Sequence, residues 1–522
     1  MAHTDIRRLL NCRTVTLDYW YQHFGSFFVS SKDIFTSAHQ RHQISDDTMK
    51  NQSEATMKIL SLLCFFLPVS RSYEPTWDSL DSRPLPSWYQ DAKFGIFLHW
   101  GVFSVPSFGS EWFWNYLEGA KDKRYIDFIA KTEGPLFSYQ DYAQRFDASL
   151  YRPDEWADIF AQAGAQYVVL TSKHHEGYNM WDSRDVPTTQ GWNVMDVGPK
   201  RDLLGDLAKE VKNRTSPQTH KKVKFGVYHS MFEWYNLLYT RDQKNNYTTN
   251  DFVTQKTLPE LYDLVKKYEP EIIWSDGAWD TSSDYWQSRD FLAWLATESQ
   301  VKETVVWNDR WGTDAMCHHG SFLTCNDRFQ PDSLMPQKWE NCYTVDRTSW
   351  GLNRNASIAD FYSTGQLIET LIATVALNGN LLLNVGPAAD GTLHPIFVDR
   401  LLGIGQWLQV NDKAIYETRP WSVAQHDKNA SVYYTRRKNT VYAIMTEWHS
   451  TLHLMAPKPS SSTKVQMLGV KGALPWTTWS TGMVISVPHL TPNKIPCQHA
   501  WVFALSDLEN AKGLNKVRGV QH

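Results

Sequence analysis

The chain has 522 residues, a formal net charge of −4 and 42% hydrophobic residues; this length exceeds the usual size of one hydrophobic core and predicts two domains. Its 52 basic and 56 acidic residues are balanced, so neither nucleic acid nor a membrane surface is predicted as a partner. The 24 Trp, 24 Tyr and 24 Phe residues are more distinctive, because flat apolar rings with polar edges suit pyranose faces as well as protein cores.

A secretory signal peptide is predicted inside the chain rather than at its first residue. Met57-Lys58 form a short basic start, an apolar run extends from Ile59 to Leu67, and small or polar residues follow as far as Ser72. The run is too short to span a bilayer as a helix. Because such signals act at an N-terminus, we expect translation to begin at Met57 or Met49 and residues 1–56 to be a non-native or disordered extension. A disordered pro-segment is the alternative.

Residues 57–72 are therefore the predicted signal peptide, and the mature protein is expected to be lysosomal or secreted, without a membrane anchor. Four Asn-x-Ser/Thr sites fit this route and are glycosylation candidates: Asn213, Asn246, Asn355 and Asn429. Four cysteines of the mature chain allow three pairings, among which the sequence does not choose: Cys317, Cys325, Cys342 and Cys497. Since no CxxC pair or HExxH motif is present, we predict no metal and no cofactor.

From about residue 73 to 418, short apolar strands alternate with longer amphipathic helices. Helical patterns such as Pro153–Ala163 and Leu258–Tyr268 lie between several of the strands. The candidate strands are Phe94–Leu98, Tyr167–Leu170, Val223–Tyr228, Ile272–Trp274, Thr304–Trp307 and Leu381–Leu383. This alternation predicts an α/β fold in which a parallel sheet closes as a (β/α)8-like barrel of the TIM type, with function at one end.

After Trp421 the pattern changes to closely spaced strands without intervening helices. The candidates are residues 431–436, 441–445, 451–455, 464–468, 483–487 and 500–504. Turn residues separate them, so residues 419–508 are predicted to form a C-terminal antiparallel β-sandwich with a structural role. Residues 509–522 are predicted to be a polar tail.

The most informative strand is Ile272–Trp274, because it leads to a single carboxylate, Asp276, before the flexible Gly277. A helix N-cap is the alternative use of such an Asp. Polar or aromatic groups follow the other strands in the same way: His99-Trp100, His174-His175-Glu176, Tyr228-His229 and Asn308-Asp309-Arg310. Because the C-terminal ends of barrel strands meet at one face, five such ends predict a catalytic site there, with Asp276 engaged in sugar chemistry.

The adjacent His174 and His175 raise the question of a metal site. Neighbouring residues of a strand point to opposite faces, and a third ligand is missing, which argues against a metal. We expect both imidazoles to bind sugar hydroxyl groups, with a role in the core as the alternative.

Several motifs together resemble the retaining α-L-fucosidases of the animal lysosomal and secreted type. In chain order they are FGIFLHWGVFSVPSFG at 94–109, EWFW at 111–114, SKHHEG at 172–177, WSDG at 274–277, NDRWG at 308–312, KWENC at 338–342 and GNLLLNVGP at 379–387. The resemblance covers nearly all of residues 73–508. It implies an exo-glycosidase that releases terminal α-L-fucose from glycoproteins, glycolipids and oligosaccharides through a covalent fucosyl-enzyme, so that fucosylated glycans are its substrates. The number of subunits stays open, a homo-oligomer included.

The resemblance also implies roles for individual residues, with Asp276 as the nucleophile. Positions that match the lining of the fucose pocket are His99, Glu111, Trp112, His174, His175, Tyr228, Trp274 and Arg310. The imidazoles and Glu111 would read the hydroxyl pattern, the tryptophans would offer apolar surface to the 6-deoxy methyl group, and Arg310 would keep Asp276 ionised. Support of a neighbouring group is the alternative role for each residue.

Two carboxylates compete for the role of general acid/base. Asp327 lies on a loop that could reach over the pocket, whereas Glu340 lies in the more recognisable KWENC motif, where it could serve only to order that loop. We prefer Asp327, and a retaining mechanism requires its carboxyl group to lie about 5–5.5 Å from that of Asp276. A catalytically weak, lectin-like fucose-binding protein and an exo-glycosidase for a related sugar such as galactose are the alternative functions.

Overall fold

The computed structural model describes residues 72–511. The predicted N-terminal extension, the signal peptide up to Arg71 and residues 512–522 of the predicted tail lie outside this range. Within it, no helix combines the length and the apolar character that crossing a membrane requires.

A parallel sheet of seven strands forms the centre of the larger part of the fold. The strands are β1 Phe94–Leu98, β2 Tyr167–Lys173, β3 Lys224–Ser230, β4 Ile272–Asp276, β5 Val306–Trp307, β6 Trp339–Thr344 and β7 Gly379–Val385. Their order in the sheet is β5-β4-β3-β2-β1-β7-β6. Every strand except β6 overlaps a predicted one; β6 was missed because Glu340 and Asn341 interrupt its β-preferring residues.

A short extended segment joins the two edge strands and closes the sheet into a ring. The backbone N–H of Ser321 donates to the carbonyl of Trp307 on β5 at 3.0 Å, and Leu323 forms a parallel bridge with Trp339 on β6. The eighth position of the barrel is therefore filled by an irregular segment instead of a regular strand. The TIM-like fold class predicted from the sequence is confirmed.

Helices cover the outside of this barrel. They are α1 Trp77–Asp81, α2 Ser87–Ala92, α3 Lys123–Thr132, α4 Tyr142–Arg145, α5 Pro153–Gln162, α6 Leu203–Asn213, α7 Leu237–Lys244, α8 Leu258–Tyr268, α9 Ser283–Trp286, α10 Ser288–Thr297, α11 Thr364–Ala376 and α12 Pro395–Ile415. Helix α5 illustrates why these segments are helical: Pro153 occupies its first turn, where no N–H is needed, and Trp156 and Phe160, four residues apart, are buried on one face.

Two antiparallel sheets form the C-terminal part of the fold. Their strands are β8 Arg419–Pro420, β9 His426–Asp427, β10 Val432–Arg437, β11 Thr440–Met445, β12 Thr451–Leu454, β13 Pro459–Met467, β14 Trp476–Trp479, β15 Gly482–Ser486 and β16 Trp501–Leu508. One sheet has the order β13-β16-β11-β10-β8, with β9 on β10, and the other has the order β12-β15-β14. Leu452 and Ile485 of the small sheet share one buried core with Val432 and Val441 of the large sheet, which makes a β-sandwich.

The cysteines and the glycosylation candidates agree with passage through the oxidising secretory pathway. Cys317 and Cys325, the pair closest in sequence, form a disulfide bond, while neither Cys342 nor Cys497 is bonded to another cysteine of residues 72–511. The side chains of all four candidate asparagines are exposed, as attachment of a glycan requires: Asn213, Asn246, Asn355 and Asn429.

Close packing between β1 and β2 yields a prediction about stability. Gly95 pairs with Tyr167, and a Cβ atom at Gly95 would lie 2.3 Å from the Tyr167 ring. We expect Gly95→Ala to lower the free energy of unfolding by about 1–3 kcal/mol, because the ring is enclosed and cannot move freely. Urea denaturation measures this change. Gly134→Ala is the control, since nothing lies within 4 Å of its added Cβ; equal effects of the two changes would contradict the prediction.

Candidate active site

A cavity of about 200 Å³ lies at the C-terminal ends of the barrel strands. Asp276 and Asp327 line it together with all eight residues expected to bind the sugar, and Phe97, Trp279 and Trp350 complete its wall. Glu340 is not part of this wall. The convergence of strand ends that the sequence predicts is therefore present in the fold.

Asp276 is the last residue of β4, and its two carboxylate oxygens have different partners. Oδ1 accepts a hydrogen bond from Arg310 Nη1 at 3.0 Å, and Oδ2 accepts one from the Tyr228 hydroxyl at 2.8 Å. Burial and the neighbouring carboxylate raise the pKa of Tyr228 well above its ordinary value, so the phenol keeps the proton that it donates. The carboxylate bonds to side chains, and the next helix begins only at Ser283, so Asp276 is not a helix cap.

Arg310 connects the two candidate catalytic carboxylates. Besides its bond to Asp276, it donates from Nη2 to Asp327 Oδ1 at 2.6 Å, and its guanidinium lies 4.6 Å from the centre of the Trp274 ring. Burial alone would lower the pKa of Arg310, but Asp327 and Asp276 raise it well above its ordinary value. One permanently charged group therefore holds both carboxylates at the cavity.

The preceding residue, Asp309, explains how the loop that carries Asp327 is held. Its Oδ1 accepts a hydrogen bond from the backbone N–H of Thr324 at 2.9 Å. Its Oδ2 accepts from the backbone N–H groups of Cys317 and Cys325 at 2.9 and 3.0 Å. The buried Asp309 carboxylate thus binds both ends of the disulfide loop, and Asp327 follows two residues later.

Asp327 is less enclosed than Asp276, with 47% of its side chain exposed. Burial of the carboxyl group raises its pKa, but Arg310 outweighs this effect and the net pKa is lowered. Only Oδ1 is bonded to Arg310, and Oδ2 has no hydrogen bond to the residues of the described range. A carboxyl oxygen that faces a cavity without a partner can exchange a proton with a bound molecule.

Glu340 lies inside the barrel below the cavity rather than in its wall. Its Oε2 accepts hydrogen bonds from the hydroxyl groups of Tyr89 and Tyr167 at 2.7 and 2.6 Å, and its Oε1 accepts one from Trp274 Nε1 at 2.9 Å. Burial raises the pKa of Glu340. With three donors engaged and no exposed surface, this carboxyl group supports the Trp274 ring from behind.

His99 is held in one tautomer by the residue that it contacts. Its Nδ1 lies 2.7 Å from Asn384 Oδ1, and Asn384 uses its amide to donate to the Trp350 carbonyl at 2.6 Å. The Asn384 oxygen is therefore an acceptor, so His99 Nδ1 carries the proton. Burial lowers the pKa of His99 to about 3, which leaves the ring neutral and Nε2 free to accept a hydrogen bond.

His175 follows the same principle. Its Nδ1 lies 2.7 Å from Ser230 Oγ, and this hydroxyl donates to the Phe232 carbonyl at 2.7 Å, so Nδ1 must be the donor. Burial lowers the pKa of His175 well below its ordinary value, and its Nε2 is 3.6 Å from Asp276 Oδ2. Two neutral imidazoles therefore present acceptor nitrogens, which suits ligand hydroxyl groups as donors.

Glu111 supplies the remaining anionic group of the wall. One of its oxygens, Oε2, accepts hydrogen bonds from the backbone N–H groups of Trp350 and Gly351 at 3.0 and 3.1 Å and from the Ser349 hydroxyl at 3.2 Å. Its other oxygen, Oε1, has no hydrogen bond within the described part of the chain. Trp350, which sequence reasoning missed, is thus positioned by a predicted site residue.

Phe97 and Trp279 are the other two wall residues that the sequence analysis did not identify, and only one of them could have been inferred from a sequence pattern. Phe97 lies two positions before His99 in the β1 motif, so the alternation of a strand could have placed both in the barrel interior. Trp279 follows Asp276 by three residues on an irregular turn, and Trp350 lies in a long loop; no periodicity marks either of them.

A buried ionic network lies behind His174 and His175. Lys173 Nζ contacts Glu233 and Glu260 at 3.0 and 2.7 Å, and Lys256 contacts Glu260 at 3.0 Å. Two positive and two negative groups compensate one another, as burial of charge requires. Trp234, the residue after Glu233, donates its backbone N–H to the carbonyl of His175 at 2.9 Å, so the network holds the end of β2 in place.

Comparison with known proteins decides the family of the chain. Residues 67–413 match the model for "Alpha-L-fucosidase", and residues 425–506 match the model for "Alpha-L-fucosidase C-terminal domain". The chain belongs to the α-L-fucosidase family. The family that the motifs resemble is thereby confirmed, and with it the assignment of the protein to the glycoside hydrolases.

Relatives and solved structures of α-L-fucosidases match along most of their length. Tissue alpha-L-fucosidase of Bos taurus is 48% identical over 441 residues, which is 84% of this chain and 92% of that protein. Plasma alpha-L-fucosidase of Homo sapiens is 44% identical over 442 residues, 84% of this chain and 93% of that protein. The crystal structure of Thermotoga maritima alpha-fucosidase in complex with fucose has a TM-score of 0.68 and 30% identity, over 83% of this chain and 100% of that one.

The tautomer of His175 yields a prediction about fucoside binding. Ser230→Ala removes the acceptor that holds the proton on Nδ1 of His175. The proton could then move to Nε2, which would no longer accept a hydrogen bond from the sugar. We expect KM for a fucoside to rise roughly tenfold with a smaller change in kcat, in line with the loss of one buried hydrogen bond. Steady-state kinetics measure both constants.

The matched control is Ser288→Ala, because the Ser288 hydroxyl is also buried and bonded to a backbone carbonyl, that of Trp311, but lies on helix α10. Unchanged kinetics in Ser230→Ala, or an equal rise of KM in both variants, would contradict the role given to the tautomer.

Proposed function

We propose that this protein is a retaining α-L-fucosidase in which Asp276 is the nucleophile and Asp327 is the general acid/base. The observation that carries this proposal is the placement of both carboxylates on one guanidinium, that of Arg310, at the wall of a sugar-sized cavity. Two carboxyl groups bonded to a single planar group lie close together, which is compatible with the roughly 5–5.5 Å that a retaining mechanism needs.

Asp276 has the surroundings of a carboxylate nucleophile. Arg310 and the Tyr228 hydroxyl donate to its oxygens, which fixes the orientation of the carboxylate, and the residue is only 8% exposed, so little water competes with a bound sugar. Its position at the end of β4 places it on a rigid element. These features supply the charge and the orientation that attack on an anomeric carbon requires.

The proposed reaction is a double displacement. Asp327 donates a proton to the glycosidic oxygen while Asp276 attacks C1, so the C1–O bond breaks, the aglycone leaves as an alcohol and a fucosyl ester forms. In the second half, the Asp327 carboxylate takes a proton from water, whose oxygen attacks C1 and displaces Asp276. L-Fucose is released with its configuration retained.

Arg310 gives a physical reason for the change of role of Asp327 between the two halves. In the free protein two carboxylates share its positive charge. Once Asp276 is esterified, that charge acts on Asp327 alone, which lowers the pKa of Asp327 further and favours the base form. Before that step, a sugar that covers Asp327 excludes water from its exposed surface, which raises the pKa and favours the acid form.

The cavity suits fucose rather than a sugar with a hydroxyl group on its sixth carbon. Neutral His99 and His175 accept from ring hydroxyls, and Phe97 and Trp274 offer apolar surface for a methyl group. A buried hydroxyl without a partner at that surface would cost binding energy, which disfavours galactose. Both carboxylates of the mechanism are present, which favours an enzyme over a lectin-like protein.

The range of substrates and the location of the protein are proposed from its relatives. Terminal α-L-fucose on glycoproteins, glycolipids and oligosaccharides is the proposed substrate, and the family includes tissue and plasma enzymes. A lysosomal or secreted location agrees with the disulfide bond Cys317–Cys325 and the exposed glycosylation candidates. Assembly into a homo-oligomer stays a prediction.

Trapping of the intermediate tests the nucleophile. A 2-fluoro-fucosyl fluoride should label the protein once, on the peptide that contains Asp276, because the electron-poor ester hydrolyses slowly. Asp276→Gly should lower kcat by about 10³-fold or more without unfolding the protein. Mass spectrometry of the digested protein locates the label, and a label on a peptide without Asp276 would overturn the assignment.

Rescue by azide tests the acid/base. With an activated aryl fucoside, Asp327→Gly should regain activity in azide and form the α-fucosyl azide with retention, because the anion replaces water without needing a base. Glu340→Gly is the matched control: it should lower the free energy of unfolding by about 1–3 kcal/mol or more through the loss of its buried bonds and show no rescue. Azide rescue confined to a Glu340→Gly variant would reverse the choice between the two carboxylates.

A further inference from the structure

A second cavity, of about 690 Å³, lies at the end of the barrel opposite the proposed active site. Lys338, directly before β6, forms part of its wall, and Arg419 on β8 and Arg436 on β10 contribute from the sandwich. The cavity therefore lies where the barrel and the sandwich meet, and junctions of this kind commonly bind small molecules.

The charges that line this cavity are strongly unequal. Four basic side chains face one acidic side chain, Asp81, and Asp81 is already paired with His319 at 2.7 Å. The four basic residues are Arg83, Lys338, Arg419 and Arg436. The cavity has an excess of positive charge that the lining itself does not neutralise.

Three of these four basic residues have no carboxylate partner among residues 72–511. Arg419 pairs with Asp91 at 2.8 Å. Arg83 donates to the carbonyl of Lys302 at 2.8 Å. Arg436 donates to a backbone carbonyl at 3.0 Å, while its buried Nε has no partner among the residues that the structure describes. The Arg83 and Arg436 guanidinium groups thus keep donor capacity for a ligand.

Lys338 is the most unusual member of the set. The residue is 7% exposed, and neither its Nζ nor that of neighbouring Lys93 donates to an oxygen atom in the described part of the chain. Burial lowers the pKa of Lys338 well below its ordinary value and that of Lys93 to about 7. Buried amines without acceptors destabilise a fold, and an anion beside Lys338 would relieve this cost.

The rest of the lining indicates the size and character of the ligand. Leu323, Leu334 and Met335 form apolar surface, and the side-chain amides of Gln90 and Asn378 add neutral polar groups. The volume is several times what an inorganic ion fills and falls within the roughly 300–1,000 Å³ typical of small-molecule sites. A sugar ring or another small polyol that carries one anionic group fits this combination.

We propose that this cavity is a second binding site, which takes a monosaccharide-sized organic anion through Lys338, Arg83 and Arg436. A carboxylate or phosphate group on the ligand would accept from the guanidinium forks, and its negative charge would favour protonation of the buried Lys338 amine, which would then donate to it. The apolar residues and the amides would contact the rest of the ligand. The proposal does not depend on the chemistry at Asp276.

Calorimetric titration of the full chain tests the proposal with defined probes. Two sugar anions serve as probes: N-acetylneuraminic acid, which carries a carboxylate, and glucose 6-phosphate, which carries a phosphate. They are compared with neutral galactose and with inorganic phosphate. We expect at least one sugar anion to bind with a Kd below about 1 mM, more tightly than inorganic phosphate, and galactose not to bind at this concentration. Equal affinity for inorganic phosphate, or no binding of either sugar anion, would overturn the proposal.

Variants then locate the site. Lys338→Met, which keeps the length of the side chain, and Arg436→Gln should each weaken binding of the sugar anion roughly tenfold or more. Arg152→Gln removes an exposed arginine far from the cavity and should leave the affinity unchanged. Unfolding midpoints confirm that each variant is folded, and equal weakening in Arg152→Gln would contradict the placement.

One further variant separates this proposal from the function proposed above. Asp276→Asn removes the proposed nucleophile, so it should abolish fucoside hydrolysis and leave the affinity for the sugar anion unchanged. Loss of anion binding in Asp276→Asn would place the anion in the barrel's other cavity and overturn the second site. Persistent hydrolysis in the same variant would instead contradict the proposed nucleophile and leave the anion site intact.

Discussion

The guanidinium of Arg310, bonded to Asp276 on one side and to Asp327 on the other, is the interaction on which the candidate site depends. Two carboxylates in a small, partly dry cavity repel each other, and a neutral partner would not offset this repulsion. A delocalised cation with donors in a fixed plane can bond both at once. The guanidinium also lies on the Trp274 ring. Arg310 therefore fixes the orientation of both carboxylates and of the ring that forms the floor of the cavity.

Much of the surrounding structure keeps this arrangement rigid. Asp309, next to Arg310 in the chain, binds the backbone of the disulfide loop from which Asp327 extends. Glu340 fixes Trp274 from below. These buried carboxylates are satisfied by donors, which is the condition under which burial of such groups is tolerated. Each therefore contributes to the geometry of the cavity, although neither lies in its wall.

The sequence was informative where the fold brings polar residues from equivalent strand ends together. The polar residues at the ends of β1 to β4 converge because parallel strands of a barrel all point their C-terminal ends to one face. The prediction failed at β6, since Trp339–Thr344 mixes polar and aromatic residues without alternation and reads as a loop. Because of that error, the sequence did not show that Glu340 is a fully buried strand residue. Trp279 and Trp350, both on irregular segments, had no periodic signal at all.

The sequence by itself determined the alternation of strands and helices, the change to an antiparallel sandwich, and the set of motifs that indicate α-L-fucosidases. These features follow from residue spacing, which is a local property. Only the tertiary structure decided which of two carboxylates faces the cavity, which nitrogen of His99 and His175 carries the proton, and where uncompensated basic residues meet. Those outcomes depend on contacts between residues far apart in the chain, such as Arg310 with Asp276 and Trp274 with Glu340, and no local pattern encodes them.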